Sequence, residues 1–270
     1  HVLASTVPNC IAYDPAYGCE LAVILHDGMK RMYQDNESVY YYITLMNEDY
    51  IHPEMPKGAK EGILKGAYLY KKGNNSNKLQ VQLMGSGTIF NEVIEAATLL
   101  KDDFNVESTI WSILGVNQLH REGVECERYN LSHPTKKQKV PYLTQIMEPF
   151  EGPVVISTDY IRAYSEQIRG LIPQKSVRIL GTDGFGRSDT RENLRRFFEV
   201  DRYYIALTAL KSLADEGKIP VEKVDEAIFD FNIRFPLNDS DVDNSFTNEL
   251  DKIVDVMKAM LLGMNLDSTI

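Results

Sequence analysis

The residue types best suited to chemistry stand at the ends of short apolar runs. Asn47, Glu48 and Asp49 directly follow SVYYYITL (Ser38 to Leu45), whose aromatic and β-branched residues read as a strand. Ligand contacts in parallel-sheet proteins gather beyond the carboxyl ends of strands, so a pocket role is expected there. GSGT, Gly85 to Thr88, sits where a strand meets a helix, and its backbone N–H groups could receive an anion. A tight connection that needs glycine accounts for it more simply. The longest glycine-punctuated stretch is VRILGTDGFGRSDTRENLRRFFEV, Val177 to Val200. It reads as an apolar strand, a turn and a helix capped by a box of Asp189 and Glu192. Its spacing fits neither GxGxxG nor GxxxxGK[ST], so it is read as a structural turn and not as a phosphate loop. Arg187, Arg191, Arg195 and Arg196 resemble an anion patch, although pairing with local Asp and Glu is the plainer expectation. His133 with Asp183, or His120 with a neighbouring carboxylate, would make an acid–base pair only if the fold brought them together. The five histidines form no HxxxH or HExxH pair, and Cys10, Cys19 and Cys126 form no CxxC. We therefore expect neither a metal ligated by the chain nor a disulfide framework, and the thiols suit a reducing compartment.

The elements that must position these residues follow from periodicity. Residues 1 to 12 are read as extended. Asp14-Pro15-Ala16 reads as a helix start, with Asp14 as cap and Pro15 at the first helical position. Leu21, Ile24, Leu25, Met29 and Met32 then recur on one helical face between Tyr17 and Tyr33. The unbroken apolarity of the next run suggests a strand buried on both faces. After a polar, proline-containing passage from Asn47, the cluster KKGNNSNK marks the best domain boundary, between about Pro56 and Lys78. LQVQLMGSG, STIWSILGV and PVVISTDY are strands. They alternate with a helix from Ile89 to Leu100, with Val93, Ile94 and Ala97 inward, and one ending at Leu171 capped by Thr158 or Asp159. Asn117 to Pro141 reads as irregular. Helices are expected from Arg202 to Glu216 and from Val221 to Phe231, then an acidic linker (residues 235–248) and a last amphipathic helix carrying Leu250, Ile253, Val254, Met257 and Leu261. The alternation predicts an α/β fold with a mostly parallel sheet flanked by helices.

Composition narrows the function classes. The formal net charge of −10 argues against nucleic-acid binding, which needs clustered Lys and Arg. No apolar run is long enough to cross a bilayer. A chain beginning HVLASTVPN reads as the continuation of a longer one.

Several stretches together resemble the homodimeric pyruvate dehydrogenases of bacteria, the thiamine-diphosphate-dependent first component of the pyruvate dehydrogenase complex. They are LASTVPNCIAYDPAY, VYYYITLMNEDY, QLMGSG, CERYNLSHP, STDY and LGTDGFGRSDTRENLRRFFEVD, and the likeness runs to about Asn232. This family is related to transketolase. The resemblance implies that residues 1–57 are the last part of a pyrimidine-binding domain and 58–77 a linker. Residues 78–245 would be a transketolase C-terminal-like domain and 246–270 an extra helix. It also implies decarboxylation of pyruvate with reductive acetylation of lipoyl groups, a cytoplasmic homodimer, and the lipoyl acetyltransferase component as partner. Thiamine diphosphate and Mg²⁺ would be the cofactors, but the GDG…N motif that holds them in the family is not in this sequence. The segment alone is thus expected to bind neither and to be inactive, serving mainly assembly. One catalytic position carries over. The family has a segment EDG-x-[ST]-H before a Pro-Asn pair, and His1, seven residues before Pro8-Asn9, stands where that histidine falls. Asn47, Glu48, Asp49 and Tyr50 fall where transketolases place substrate contacts. The alternatives are an oligomerisation or partner-binding module, or part of a transketolase-like enzyme for another 2-oxo acid.

Overall fold

Among residues 1–74 and 79–233, which the computed structural model describes, the strands make two sheets. The smaller pairs β1 (Cys10–Tyr13) with β2 (Tyr40–Ile43) in parallel, Tyr13 lying beside Ile43. A short helix α1 (Val2–Ser5) precedes β1, in place of a wholly extended start. Between the strands runs α2 (Gly18–Met29), which widens into a π turn over Lys30–Gln34. It begins three residues later than the Asp-Pro signal suggested. Asp14 is not its cap; the buried Glu20 carboxylate reaches back to the amides of Ala16 and Tyr17 instead. Nor is β2 buried on both faces. Its residues alternate, with Tyr40 and Tyr42 exposed and Tyr41 and Ile43 half-buried.

The larger sheet has the order β3 (Tyr68–Lys71), β5 (Glu107–Ser112), β4 (Gln80–Gly85), β6 (Val154–Ser157), β7 (Val177–Leu180). All pairs are parallel except β3 with β5. The stretch 58–77, expected as a linker, carries both α3 (Ala59–Lys65) and β3, so the sheet's first strand lies inside it. One face of the sheet packs Met84, Trp111, Val154 and Ile156 against side chains from α5 (Val116–Ser132), α6 (Tyr142–Met147) and α7 (Arg162–Glu166). Residues alternating with these, Leu83, Ile110 and Val155, point to the other face. That face meets α4 (Ile89–Phe104), against which α9 (Arg202–Asp215) packs.

The passage from Asn117 to Pro141 is mostly the helix α5 and not irregular. Val116, Leu119, Gly123 and Cys126 form its buried stripe. The helix after β6 starts at Arg162, and its first amide is taken by the Asp183 carboxylate at 3.0 Å, not by Thr158 or Asp159. In α4, Val93 and Ala96 are buried, while Ile94 and Ala97 are only partly covered. The helix of the glycine-rich stretch, α8 (Arg191–Phe197), is capped one residue later than expected. The Thr190 hydroxyl accepts from Asn193 N, and Asp189 accepts from Thr190 N and the Asn193 side chain. Packing separates His1–Ala227 as one compact unit from Ile228–Ile270. The helix α10 (Glu222–Asp230) is followed by a turn closed by Ile233 N on Ile228 O. The acidic linker and final amphipathic helix lie outside the described residues.

Candidate active site at the strand carboxyl ends

Four strand ends build a largely enclosed polar cluster. Asp14 is the residue after β1 and Thr44 the residue after β2, so the parallel register sets them side by side. Ser86 follows β4, and Tyr160 lies three residues beyond β6. Their side chains converge on the Asp14 carboxylate, which is only 5% exposed as a residue. Asp14 Oδ1 accepts from Thr44 Oγ1 at 2.7 Å and from Tyr160 Oη at 3.1 Å, and Oδ2 accepts from Ser86 Oγ at 2.7 Å. Burial pushes the Asp14 carboxyl above its ordinary range, and the three hydroxyls offset that only in part. The connection from β4 to α4 closes over it through Gly87, whose amide donates to Asp14 O at 3.1 Å. Gly87 has φ +50°, and a Cβ there would lie 2.6 Å from Asp14 Oδ2. The glycine of GSGT therefore serves a close approach to a buried carboxylate, not an anion-binding loop.

His1 adjoins this cluster. Its Nε2 lies 3.0 Å from Thr44 Oγ1, and its ring packs against Tyr42, Tyr160 and Tyr164 with centroids 5.0, 4.9 and 5.1 Å away. Asn117 Nδ2 holds the His1 carbonyl at 3.1 Å. A largely apolar cavity of about 570 Å³ opens beside the ring, walled by Val2, Leu3, Cys10, Tyr40, Tyr42 and Ile161.

The other expected contacts separate into two places. Asn47 accepts from Arg191 Nη2 at 2.6 Å, and Glu48 accepts from Arg195 Nη2 at 2.8 Å. Both thus face the arginines of the glycine-rich stretch. Tyr50 instead donates to the carbonyl of Ala16 and stacks on His52, 4.9 Å between centroids. Asp49 is exposed. Among the described residues no hydrogen bond or ring contact joins any of the four to His1. His133 bonds to its own helix at Tyr129 O, and His120 to Gln167 O, so neither meets a carboxylate as an acid–base pair.

The arginines are spoken for. Arg195 also donates to Glu92 at 3.4 Å, Arg202 donates to Glu92 at 2.8 Å, and Arg196 pairs with Asp201 at 3.3 Å. Arg187 lies over the Phe197 ring at 3.9 Å. Burial is the largest influence on the Glu92 carboxyl and would raise it. The hydrogen bonds and charge of Arg202, with the charge of Arg195, hold it below its ordinary value. A second buried carboxylate, Glu20, is satisfied without any cation. Its Oε2 accepts from Ala16 N and Tyr17 N at 2.6 and 3.0 Å, and its Oε1 from Tyr68 and Ser112 hydroxyls at 2.9 and 2.7 Å. Burial raises it.

Among the described residues no group of three or more His, Cys, Asp or Glu could hold a metal ion. The arginines nearest the strand ends already hold carboxylates. The donor set therefore does not fit a Mg²⁺-bound diphosphate. Asp14, Thr44, Ser86 and Tyr160 are the residues that sequence reasoning missed. Asp14, Thr44 and Ser86 each stand immediately after a strand of the structure, but the sequence runs read as strands extend over Thr44 and Ser86, which hid those strand ends.

Comparison with known proteins gives this geometry its relatives. The family profile described as "Pyruvate dehydrogenase E1 component middle domain" matches residues 1–53, and "Transketolase-like TK C-terminal domain" matches residues 66–201. The pyruvate dehydrogenase E1 component of Cupriavidus necator is 55% identical over 86% of this chain, and that of Escherichia coli is 50% identical over the same share. In both cases the chain spans 26% of the relative's length. Among solved structures, a transketolase from Pichia stipitis superposes with a TM-score of 0.54 at 16% identity, covering 80% of this chain and 27% of that one. A transketolase from Leishmania mexicana gives 0.50 at 15% identity, covering 81% and 28%. These two likenesses establish the α/β fold and no more.

Proposed function

We propose, because this chain belongs to the pyruvate dehydrogenase E1 component family, that it supplies the end of the pyrimidine-binding domain and the C-terminal domain of such an enzyme. The match to E1 components along 86% of the chain, at up to 55% identity among the relatives given above, is the observation that carries this reading. The enzyme would decarboxylate pyruvate and reductively acetylate lipoyl groups, working in the cytoplasm as a homodimer beside a lipoyl acetyltransferase. Thiamine diphosphate, the electron sink of that chemistry, would sit with its Mg²⁺ on the remaining three quarters of the enzyme. Residues 1–57 would then contribute the active-site edge. Within it His1 is the proposed acid–base or substrate-contacting group, while Asn47, Glu48, Asp49 and Tyr50 form its rim. The remainder would serve assembly. Of the rim, Asn47 and Glu48 act through their arginine partners, and Tyr50 braces the Ala16 turn.

A chimaera tests this. The corresponding quarter of the Cupriavidus necator protein is replaced by this chain, and pyruvate-dependent reductive acetylation of a lipoyl domain is measured. Activity within about tenfold of the parent is expected, and His1→Ala in the chimaera should lower kcat by about a hundredfold or more. A folded, inactive chimaera would overturn the reading. Calorimetric titration of this chain alone with thiamine diphosphate and Mg²⁺ should give no saturable binding. A micromolar constant would show that the cofactor site had been assigned to the wrong part.

A further inference from the structure

The single hydroxyl that stands between His1 and Asp14, that of Thr44, carries an instruction about the histidine. Thr44 Oγ1 lies 2.7 Å from Asp14 Oδ1 and 3.0 Å from His1 Nε2. A threonine hydroxyl has one proton to give. Three hydroxyls, those of Thr44, Tyr160 and Ser86, surround the two Asp14 oxygens, the arrangement an acceptor-only carboxylate requires. Thr44 is the closer of the two donors to Oδ1, and a carboxylate is the stronger acceptor it can reach. With its proton committed there, Thr44 presents only lone pairs to the imidazole. Nε2 must then carry the hydrogen, and Nδ1 must be bare. The far side of the ring agrees. His1 Nδ1 is buried with no hydrogen-bond partner among the described residues. An orphaned buried N–H is rarer and costlier than an unsatisfied acceptor, so the unpartnered atom is better the lone pair.

We propose that Thr44 and Asp14 are positioning residues that hold neutral His1 as its Nε2–H tautomer, leaving Nδ1 as the ring's only basic atom. This deepens, and rests on, the reading of His1 as the chemical group of this edge. Any proton that His1 takes up enters at Nδ1, the buried atom of a ring packed among Tyr42, Tyr160 and Tyr164. Tyr42 and Tyr160 also line the apolar cavity.

The tautomer is read directly by heteronuclear NMR of the ring nitrogens in the histidine-labelled chain. The spectra are taken at a pH where imidazole is neutral, and His1→Gln assigns the signal. The wild-type chain should show Nε2 as the protonated, pyrrole-type nitrogen and Nδ1 as the bare, pyridine-type one. Thr44→Val keeps the shape and removes the hydroxyl; it should collapse the separation between the two shifts towards the tautomer average. Thr44→Ser should restore it. A protonated Nδ1 in the wild type would overturn the proposal whatever the variants do. So would a Thr44→Val spectrum unchanged from wild type. If Thr44→Val fails to fold, the wild-type pattern and its retention in Thr44→Ser still decide the matter. These readings need no turnover, so a wrong tautomer and an inactive chimaera are separate failures.

Discussion

Two carboxylate clusters meet at one turn, and they solve the same problem in opposite ways. Ser86 of the GSGT turn donates to Asp14, while two residues on Thr88 accepts from Arg195 at 2.5 Å, in the cluster of Glu48 and Glu92. On the Asp14 side every side-chain donor to the carboxylate is a neutral hydroxyl, and burial raises the acid. On the Glu92 side the donors are guanidinium groups, and although burial again pushes upward, they bring the acid below its usual value. Neutral donors offset the burial of a carboxyl only in part; arginines more than offset it and fasten elements together. Glu92 ties α4 to the start of α9, and Glu48 ties the segment after β2 to α8. The first cluster, beside His1, is the one the proposed function assigns to chemistry, and the second serves architecture.

Glu92→Gln should show the largest effect of this contrast. It removes the charge that neutralises Arg202 and part of that facing Arg195, whose side chain is only 15% exposed. Breaking a buried ion pair costs about 3 kcal/mol, to be seen as a lower urea midpoint at neutral pH. A change below about 1 kcal/mol, the size of an exposed pair, would mean that the arginines contribute little more than a surface bridge does. Gly87→Ala strikes the other cluster. Its φ of +50° disfavours a side chain, and the new Cβ would press on the Asp14 carboxylate at 2.6 Å. A loss of about 2 kcal/mol is expected from strain and displacement together. If a crystal structure of that variant kept the three hydroxyl contacts to Asp14 in place, the enclosure would be looser than the geometry implies.

Why the architectural cluster was easier to read than the chemical one has a physical cause. Arginines spaced along one helix near Asp and Glu suggest ion pairs whatever the fold, and Arg191, Arg195 and Arg196 make them. The strand runs and the mostly parallel order were legible for a similar reason, since β-branched and aromatic runs between glycine turns have few other uses. Asp14 was misread because Asp-Pro-Ala before an apolar stripe is a sound local helix start. Only the tertiary pairing of β1 with β2 places it beside Thr44. The α5 helix was hidden because its buried stripe includes Asn117 and Gly123, which carry no apolar signal. Gly123 is there to admit Leu171, whose Cδ2 would sit 2.6 Å from a Cβ at that position. The slip from Asp189 to Thr190 as cap is a one-residue competition between two good cap residues.

Glu20 extends the comparison to pH. Like Asp14 it is buried among neutral donors and raised by burial. Because its folded-state value lies above the unfolded one, its contribution to stability is full below the unfolded pKa, about 4, and is lost as pH rises through the folded value. Glu92 is lowered, so its contribution is present above the unfolded value and is lost as pH falls through the folded one. Glu20→Gln replaces an acid that is expensive to ionise with a neutral group whose amide still matches the hydroxyls of Tyr68 and Ser112. The loss should be about 1 kcal/mol, the smallest of the three, and it should shrink as pH rises from about 4 towards 7. The Glu92→Gln loss should shrink in the other direction, as pH falls below about 4. Urea midpoints of both variants against wild type across that range give two trends of opposite sign. If they run in parallel, the two carboxylates do not differ in the way their donors imply.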